Sequence, residues 1–143
     1  MSLYDRDFLA WADEQAALAR SRSANALDWD NVAEELEDLG ASVRNELRSR
    51  YVVLLKHLLK WRYQAGKRTR SWELSIGNQR DAIVDHLDRH PSLRSEDADI
   101  FAGAYRLARR AAGRETRLGV EAFPTEPPFT PDQAREEEFW PEA

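Results

Sequence analysis

The sequence predicts an all-α protein, a helical bundle of about five helices with a short C-terminal helix and a Pro-rich acidic tail. Apolar residues recur at spacings of three and four along several segments, and no segment alternates as a strand does. The chain has 143 residues, 42% of them hydrophobic, which suits one core. We therefore predict a single helical domain over residues 1–143, with residues 118–143 as a tail packing on the bundle.

The first predicted helix runs from about Tyr4 to Ser21. Phe8 and Trp11 begin its apolar stripe. Ser2 and Asp5 are the candidate N-caps, because both side chains accept hydrogen bonds from first-turn amides. Residues 20–27 are predicted to form a polar connection.

The second predicted helix begins with a clear signal, because Asp28 is a good N-cap in front of Trp29. Its apolar stripe does not lose phase across Gly40. Two interpretations compete: one long helix from Trp29 to about Gln64, or two helices with a sharp turn at Gly40. We favour the long helix, because an isolated Gly costs only about 1 kcal/mol in a helix.

Three further helices follow. One is predicted from about Ser71 to His90, ended by Pro91, because a residue before proline avoids the helical conformation. Another is predicted from about Ser95 to Leu118. The run Thr130-Pro131-Asp132-Gln133 predicts the start of a short last helix, with Thr as cap and Pro in the first position.

Composition excludes several kinds of site. The chain has no cysteine, which excludes disulfides, thiolate metal sites and a cysteine nucleophile. It also lacks a Gly-rich phosphate loop, a Gly-x-Ser-x-Gly motif and His-Glu-x-x-His. The N-terminal residues do not resemble a signal peptide, and the longest apolar run is far shorter than the ~20 residues that span a bilayer. We predict a cytoplasmic protein with no cofactor and no membrane partner.

The net charge of −5 is unevenly placed along the chain. Residues 1–38 hold ten acids and three Arg, a net charge of −7. Residues 44–70 hold nine bases and one acid, a net charge of +8, and residues 121–143 hold seven acids and one Arg, a net charge of −6. Such an acid–base–acid order predicts that the segments pair within the fold.

A series of short motifs along the chain resembles one bacterial family. They are Asp7-Phe8, Trp11, Leu27-Asp28-Trp29, Glu34-Glu35, Gly40, His57-Leu58-Leu59-Lys60-Trp61, Gln64, Ser71-Trp72, Gln79-Arg80 and Pro91-Ser92-Leu93. The family is the domain-of-unknown-function family number twenty-nine, and the resemblance runs from about residue 3 to residue 140. Ser75 is a departure, since the family pattern leads us to expect Thr there. The resemblance implies a helical fold and a bacterial source and brings no assigned activity.

A carboxylate–imidazole pair is the first candidate for chemistry. Glu35 and His57, with Asp28 and Glu34 nearby, are the residue types of metal and acid–base sites. The Glu-x-x-His template of di-metal bundles is absent. On one straight helix Glu35 and His57 are about 33 Å apart, so only a hairpin at Gly40 or a partner chain brings them together. A metal-dependent or acid–base enzyme is therefore the third interpretation, and we lean against catalysis.

Two other polar features lie on the helix that precedes Pro91. Gln79 interrupts an apolar stripe beside Arg80, which predicts either a hydrogen-bond network between helices or a ligand contact. His86 and His90 are one turn apart and are candidate metal ligands, although no third ligand is evident.

The second interpretation is a nucleic-acid contact through the basic 56–70 segment. Lys60, Arg68 and Arg70 are interleaved there with aromatic residues, and cations bind phosphate while aromatic rings stack on bases. The chain as a whole is acidic and matches no nucleic-acid-binding module.

The favoured interpretation is a bacterial protein-interaction or regulatory module, whose partner is another protein or a second copy. Trp-rich helices, an uneven charge map and a Pro-rich tail suit docking. The candidate contacts with a ligand or partner are Asp28, Glu34, Lys60, Arg68, Arg70 and Arg80.

Overall fold

The computed structural model describes residues 1–142, and no strand occurs among them. The predicted all-α helical bundle is confirmed. The helices are α1 (Leu3–Arg6), α2 (Phe8–Arg20), α3 (Trp29–Tyr63), α4 (Arg70–Arg89), α5 (Asp97–Thr116) and α6 (Pro131–Arg135). Short 3-10 turns connect them at Ala24–Ala26, Ala65–Lys67, Pro91–Ser95 and Val120–Ala122.

The long helix α3 is continuous over 35 residues. Gly40 lies within it and keeps helical geometry. Of the two interpretations of this segment, the single helix is the one observed. A glycine within a helix costs only about 1 kcal/mol, and the residues on both sides of Gly40 keep one apolar phase. The helix therefore continues through Gly40.

The described chain forms two compact units, residues 1–43 and residues 44 onward. The first unit contains α1, α2 and the start of α3. A single first helix is not observed, because the backbone of Asp7 leaves the helical region at φ −152° and ψ 88°. Its side chain instead accepts a hydrogen bond from the amide of Ala10 at 3.0 Å, which caps a new helix.

The first unit contains an aromatic cluster in which Trp11 is buried and Phe8 is half exposed. The Trp11 ring lies 4.8 Å from that of Tyr4 and 5.6 Å from that of Phe8, centroid to centroid. Trp11 is 5% exposed and is the buried residue of α2. Offset and edge-on aromatic pairs at this spacing stabilise beyond their buried area.

The second unit has a larger core, built from the inner faces of α3, α4 and α5. Six residues of α3 are buried there: Leu47, Tyr51, Leu54, Leu55, Leu58 and Leu59. They meet Ile76, Ile83 and Leu87 from α4, and Ile100, Phe101, Ala104, Tyr105, Ala108 and Ala112 from α5. The inner face of α5 combines small residues with the rings of Phe101 and Tyr105, which fill the space between the helices.

Local signals explain where the helices of the second unit begin and end. Thr69 caps α4 by accepting a hydrogen bond from the Trp72 amide at 3.2 Å. The helix therefore begins at Arg70, one residue before the predicted start at Ser71. The helix ends before Pro91 as predicted, but Pro91–Ser95 form a 3-10 turn, which delays the start of α5 to Asp97. The predicted capping box of Thr130 and Gln133 is present at α6.

Two arginines hold the C-terminal tail onto the second unit. Arg135 donates to Tyr51 and to Asp97, at 2.6 Å in each case. Arg80, which is 3% exposed, donates to the carbonyl oxygens of Ala134, Glu137 and Phe139. Backbone carbonyls buried against an arginine remain hydrogen-bonded, so the irregular tail can pack without leaving polar groups unpaired.

Candidate functional site

The apolar stripe of α3 is exposed in the first unit. Leu36 and Leu39 are each 63% exposed, and Trp29 at the helix start is 58% exposed. A stripe at helical spacing normally faces a core. Exposed large apolar side chains grouped in this way are typical of a binding surface.

Between α2 and the start of α3 lies a groove of about 440 Å³. We call it the docking groove, and its walls include Trp11, Gln15, Leu27, Trp29, Val32 and Leu36. Three alanines of α2 complete one side, so the backbone of that helix lies close to the surface.

A set of hydrogen bonds around Asp28 holds the two walls of the groove together. The Trp11 indole Nε1 donates to Asp28 Oδ2 at 3.0 Å, and the Asp28 amide donates to Gln15 Oε1 at 2.8 Å. Asn31 Nδ2 donates to the same carboxylate at 2.8 Å. The bonds from Asn31 and Trp11 lower the pKa of Asp28 below its ordinary value. The predicted contact residue Asp28 therefore links α2 to α3.

Glu35 lines the groove beside the aromatic cluster. The hydroxyl of Tyr4 donates a hydrogen bond to Glu35 Oε1. This bond to a carboxylate, with burial and the neighbouring acids, raises the pKa of Tyr4 to about 12. Glu34, the preceding residue, is exposed on α3. Glu35 thus places one carboxylate in the wall of an otherwise apolar groove.

The first unit is strongly acidic. Residues 1–43 contain ten carboxylates and three arginines, a net charge of −7. A concentration of one sign of charge attracts partners of the opposite sign and repels partners of the same sign.

Glu35 lies in the first unit and His57 in the second, 22 residues apart along α3.

His57 packs in the second unit. Its Nδ1 lies 2.8 Å from the carbonyl oxygen of Val53, one turn earlier in α3. Burial lowers the pKa of His57, and Lys56 and Lys60 lower it further. The ring is therefore neutral at pH 7, with Nδ1–H donating to that carbonyl.

The remaining candidates on α4 contact other parts of the second unit. Gln79 Oε1 accepts a hydrogen bond from Arg50 of α3 at 3.4 Å. Arg80 binds tail carbonyls, as described above. His86 is buried and its Nδ1 lies 2.6 Å from Glu46 Oε2, while the His86 and His90 rings are 4.7 Å apart.

Four of the six cations in the basic 56–70 segment have partners within the second unit. Lys56 and Lys60 both pair with Glu115, at 3.0 Å and 3.4 Å. Arg68 donates to the carbonyl of Trp61 and lies over its ring, and Arg70 pairs with Glu73. Within residues 1–142, no ion pair joins the 44–70 stretch to the acidic tail, so the predicted pairing of these two segments is not observed.

Neither a metal cluster nor a membrane span is present in the part of the chain described. No group of three or more His, Asp or Glu side chains is arranged to hold a metal ion among residues 1–142. No helix in the same residues is both long and apolar enough to cross a bilayer.

Comparison with known families identifies the chain. Residues 3–140 match the model of the family described as "Domain of unknown function DUF29". The chain belongs to the DUF29 family. Neither the curated proteins nor the solved structures contain a significant match to it.

Two features of this DUF29 domain escaped prediction from sequence. The exposure of Trp29 and Leu36 was not foreseen, since periodicity gives the face of a helix but not what covers it. The one sequence feature that could have indicated this exposure was the concentration of carboxylates in the same 43 residues. The arginines Arg106, Arg109 and Arg110, which line a cavity of the second unit, were also missed. Their signal was the i, i+3, i+4 spacing that places them on one side of α5.

Proposed function

We propose that this DUF29 domain is a protein-interaction module whose docking groove binds an amphipathic helix with a basic polar face. The observation that carries the proposal is the exposure of Leu36 and Trp29 beside a preformed apolar groove. Burying a Leu side chain completely contributes roughly 1.5–3 kcal/mol. A helix with leucines at i, i+3 or i+4, and i+7 would cover this surface.

The charge of the first unit selects the partner's polar face. With a net charge of −7 in residues 1–43, a helix carrying Lys and Arg is attracted and an acidic one is repelled. The same charge disfavours an anionic membrane surface, and it disfavours face-to-face pairing of two docking grooves from two copies. Glu35, in the groove wall, is positioned to pair with a cation of the bound helix.

The groove is held in shape before any partner arrives. Trp11 and Asn31 both donate to the Asp28 carboxylate, which connects α2 to the first turn of α3. Little backbone freedom then remains to be lost on binding, which favours affinity.

The contacts of the basic 56–70 segment favour protein docking over nucleic-acid binding. Lys56, Lys60 and Arg70 already face carboxylates of the same unit. Binding phosphates there would require these pairs to be given up, and counterion release drives binding only where cations are available.

The test uses two fluorescent helical peptides with identical leucine stripes, one with a Lys polar face and one with a Glu polar face. We expect the full chain to bind the Lys peptide and to bind the Glu peptide far more weakly in fluorescence anisotropy. Leu36→Ser should weaken binding of the Lys peptide about 5- to 30-fold, because it removes roughly 1–2 kcal/mol of buried apolar contact. Leu118→Ser is the matched control, since Leu118 is also exposed but lies in the second unit.

A second pair of variants tests the role of charge. Glu35→Gln keeps an oxygen to accept the Tyr4 hydroxyl but removes the negative charge, and we expect about a 1.5- to 5-fold loss of affinity for the Lys peptide. Glu138→Gln removes one charge from the exposed tail and should have no effect. Equal binding of both peptides, or no effect of Leu36→Ser, would contradict the proposal. A dimer that Leu36→Ser dissociates in sedimentation analysis would show that a second copy is the occupant instead.

A further inference from the structure

A second cavity lies in the second unit, between α5 and the segment that follows it. Its volume is about 500 Å³, within the range of small-molecule sites. Its walls include Arg106, Arg109, Arg110, Val120, Glu126 and Pro127.

The wall opposite α5 is fixed by contacts with that helix. The hydroxyl of Tyr105 donates to the carbonyl of Pro124 at 2.6 Å, and Arg109 Nε donates to the carbonyl of Phe123 at 3.0 Å. Burial raises the pKa of Tyr105 to about 12, so its hydroxyl stays protonated as a donor near neutral pH.

Gly113 allows the segment to approach α5 closely. A Cβ at this position would lie 2.9 Å from the amide nitrogen of Val120, closer than real Cβ contacts occur. The turn also needs Gly119, whose φ of +87° is in the region that favours glycine. These two glycines place Val120 in the cavity wall.

The charge of the cavity is strongly positive. Arg106, Arg109 and Arg110 line it with one carboxylate, that of Glu126, giving a net charge of +2 among the lining residues. Arg106 and Arg110 are exposed and Arg109 is half-buried, and none of the three forms an ion pair with a carboxylate of residues 1–142. Arg106 and Arg110 are one helical turn apart, where like charges destabilise each other.

We propose that this cavity binds a small phosphate monoester. A phosphate monoester carries about −1.5 to −2 charges at pH 7, which matches the net +2 of the lining residues better than a single carboxylate does. Planar guanidinium forks bind phosphate oxygens through paired, charge-assisted hydrogen bonds. The apolar surface of Val120 and Pro127 receives the organic part of the ligand. The residues that line this cavity do not line the docking groove, so the proposal is independent of the proposed function.

Isothermal titration calorimetry on the full chain tests the proposal with three probes: phenyl phosphate, inorganic phosphate and benzoate. We expect phenyl phosphate to bind most tightly, because it alone combines a near-dianionic group with an apolar body. Inorganic phosphate should bind more weakly, and benzoate, with one negative charge, weakest of the three.

The variant Arg106→Gln with Arg110→Gln should weaken binding of phenyl phosphate about tenfold or more, since it removes two charge-assisted contacts. Arg109 is left in place because it also holds the carbonyl of Phe123. The matched control, Arg20→Gln with Arg114→Gln, changes the net charge equally outside the cavity and should retain binding. Circular dichroism checks that both double variants fold.

The proposal would be overturned if phenyl phosphate gave no heat up to about 10 mM, which corresponds to less than ~3 kcal/mol of binding free energy. Equal weakening of binding by both double variants would overturn it, as would benzoate binding as tightly as phenyl phosphate. Binding of an RNA oligonucleotide without any binding of phenyl phosphate would also overturn it, because it would show that the arginines serve a polyanion.

Discussion

The indole N–H of Trp11 donates a hydrogen bond to the carboxylate of Asp28 at 3.0 Å, across 17 positions of sequence. Trp11 lies in the wall of the docking groove and Asp28 directly precedes α3, so this bond fixes the groove's two helices to each other. Asp28 is thereby a positioning residue for the proposed binding function.

We expect the stability contributed by Asp28 to depend on pH. Its pKa is lowered in the folded protein by the bonds from Asn31 and Trp11, relative to an unfolded value of about 3.9. A lowered pKa means that the carboxylate stabilises the fold fully above the unfolded value and less as pH falls through the folded value. The difference in free energy of unfolding between the wild type and Asp28→Asn should therefore be constant above about pH 5 and shrink below about pH 4. Denaturant titrations at several pH values measure it, with Asp13→Asn as an exposed control; a difference that does not change with pH would contradict the assignment.

Two glycine-to-alanine substitutions should change the stability of the protein in opposite directions. Gly113→Ala places a Cβ against the backbone of Val120 and should destabilise the protein by about 1–3 kcal/mol. Gly77→Ala, within α4, meets nothing within 4 Å and should stabilise it by about 0.4–1 kcal/mol. Chemical denaturation of both variants gives the two signs. Similar effects of the same sign would show that the close approach at Gly113 is absent.

Removing the Tyr51 hydroxyl, which contacts Asp97 and Arg135, should lower the free energy of unfolding. The Tyr51 hydroxyl donates to Asp97 Oδ1 at 2.6 Å and accepts from Arg135 at 2.6 Å. Tyr51→Phe removes that donor from a buried carboxylate, so we expect a loss of about 1–3 kcal/mol in the free energy of unfolding. Tyr63→Phe is the control because no hydrogen bond of its hydroxyl occurs within residues 1–142. An unchanged stability of Tyr51→Phe would mean that Arg135 alone satisfies Asp97.

Arg80 should control how firmly the tail is held. Arg80→Lys keeps the charge, but an ammonium group lacks the planar fork that reaches the carbonyls of Ala134, Glu137 and Phe139 together. We expect amide hydrogen exchange of the peptide covering residues 134–140 to accelerate roughly tenfold, because its local opening becomes easier. Arg89→Lys, which changes an exposed arginine of α4 paired with Asp85, should leave that exchange rate unchanged. Equal exchange in Arg80→Lys and the wild type would show that the tail is held by its aromatic residues instead.

Local signals in the sequence were sufficient to predict α3 and α6. The phase of apolar residues predicted α3 as one element despite Gly40, and the capping box predicted α6. Both are properties of neighbours within one or two turns, where spacing and side-chain chemistry act directly on the backbone. The break at Asp7 was missed because capping and helix continuation are close in energy at an Asp.

For the candidate site, the sequence indicated residues but not their roles. Asp28, Glu35 and Arg80 were all singled out; the structure assigns Asp28 to a link between α2 and α3, Glu35 to a groove wall, and Arg80 to the carbonyls of the tail. No spacing rule connects Arg80 with residues more than 50 positions away. Such contacts depend on how the chain returns on itself, which one sequence does not specify.

The sequence by itself determined the all-α class and the acidic character of the first 43 residues, and it favoured a single long α3, because helix periodicity and charge are local quantities. Only the tertiary structure decided which part of the α3 stripe is covered. Leu47, Leu54 and Leu58 are buried by α4 and α5, whereas Leu36 and Leu39, on the same helix and in the same phase, lie exposed. The physical reason is that burial requires a second surface, and periodicity describes only the first.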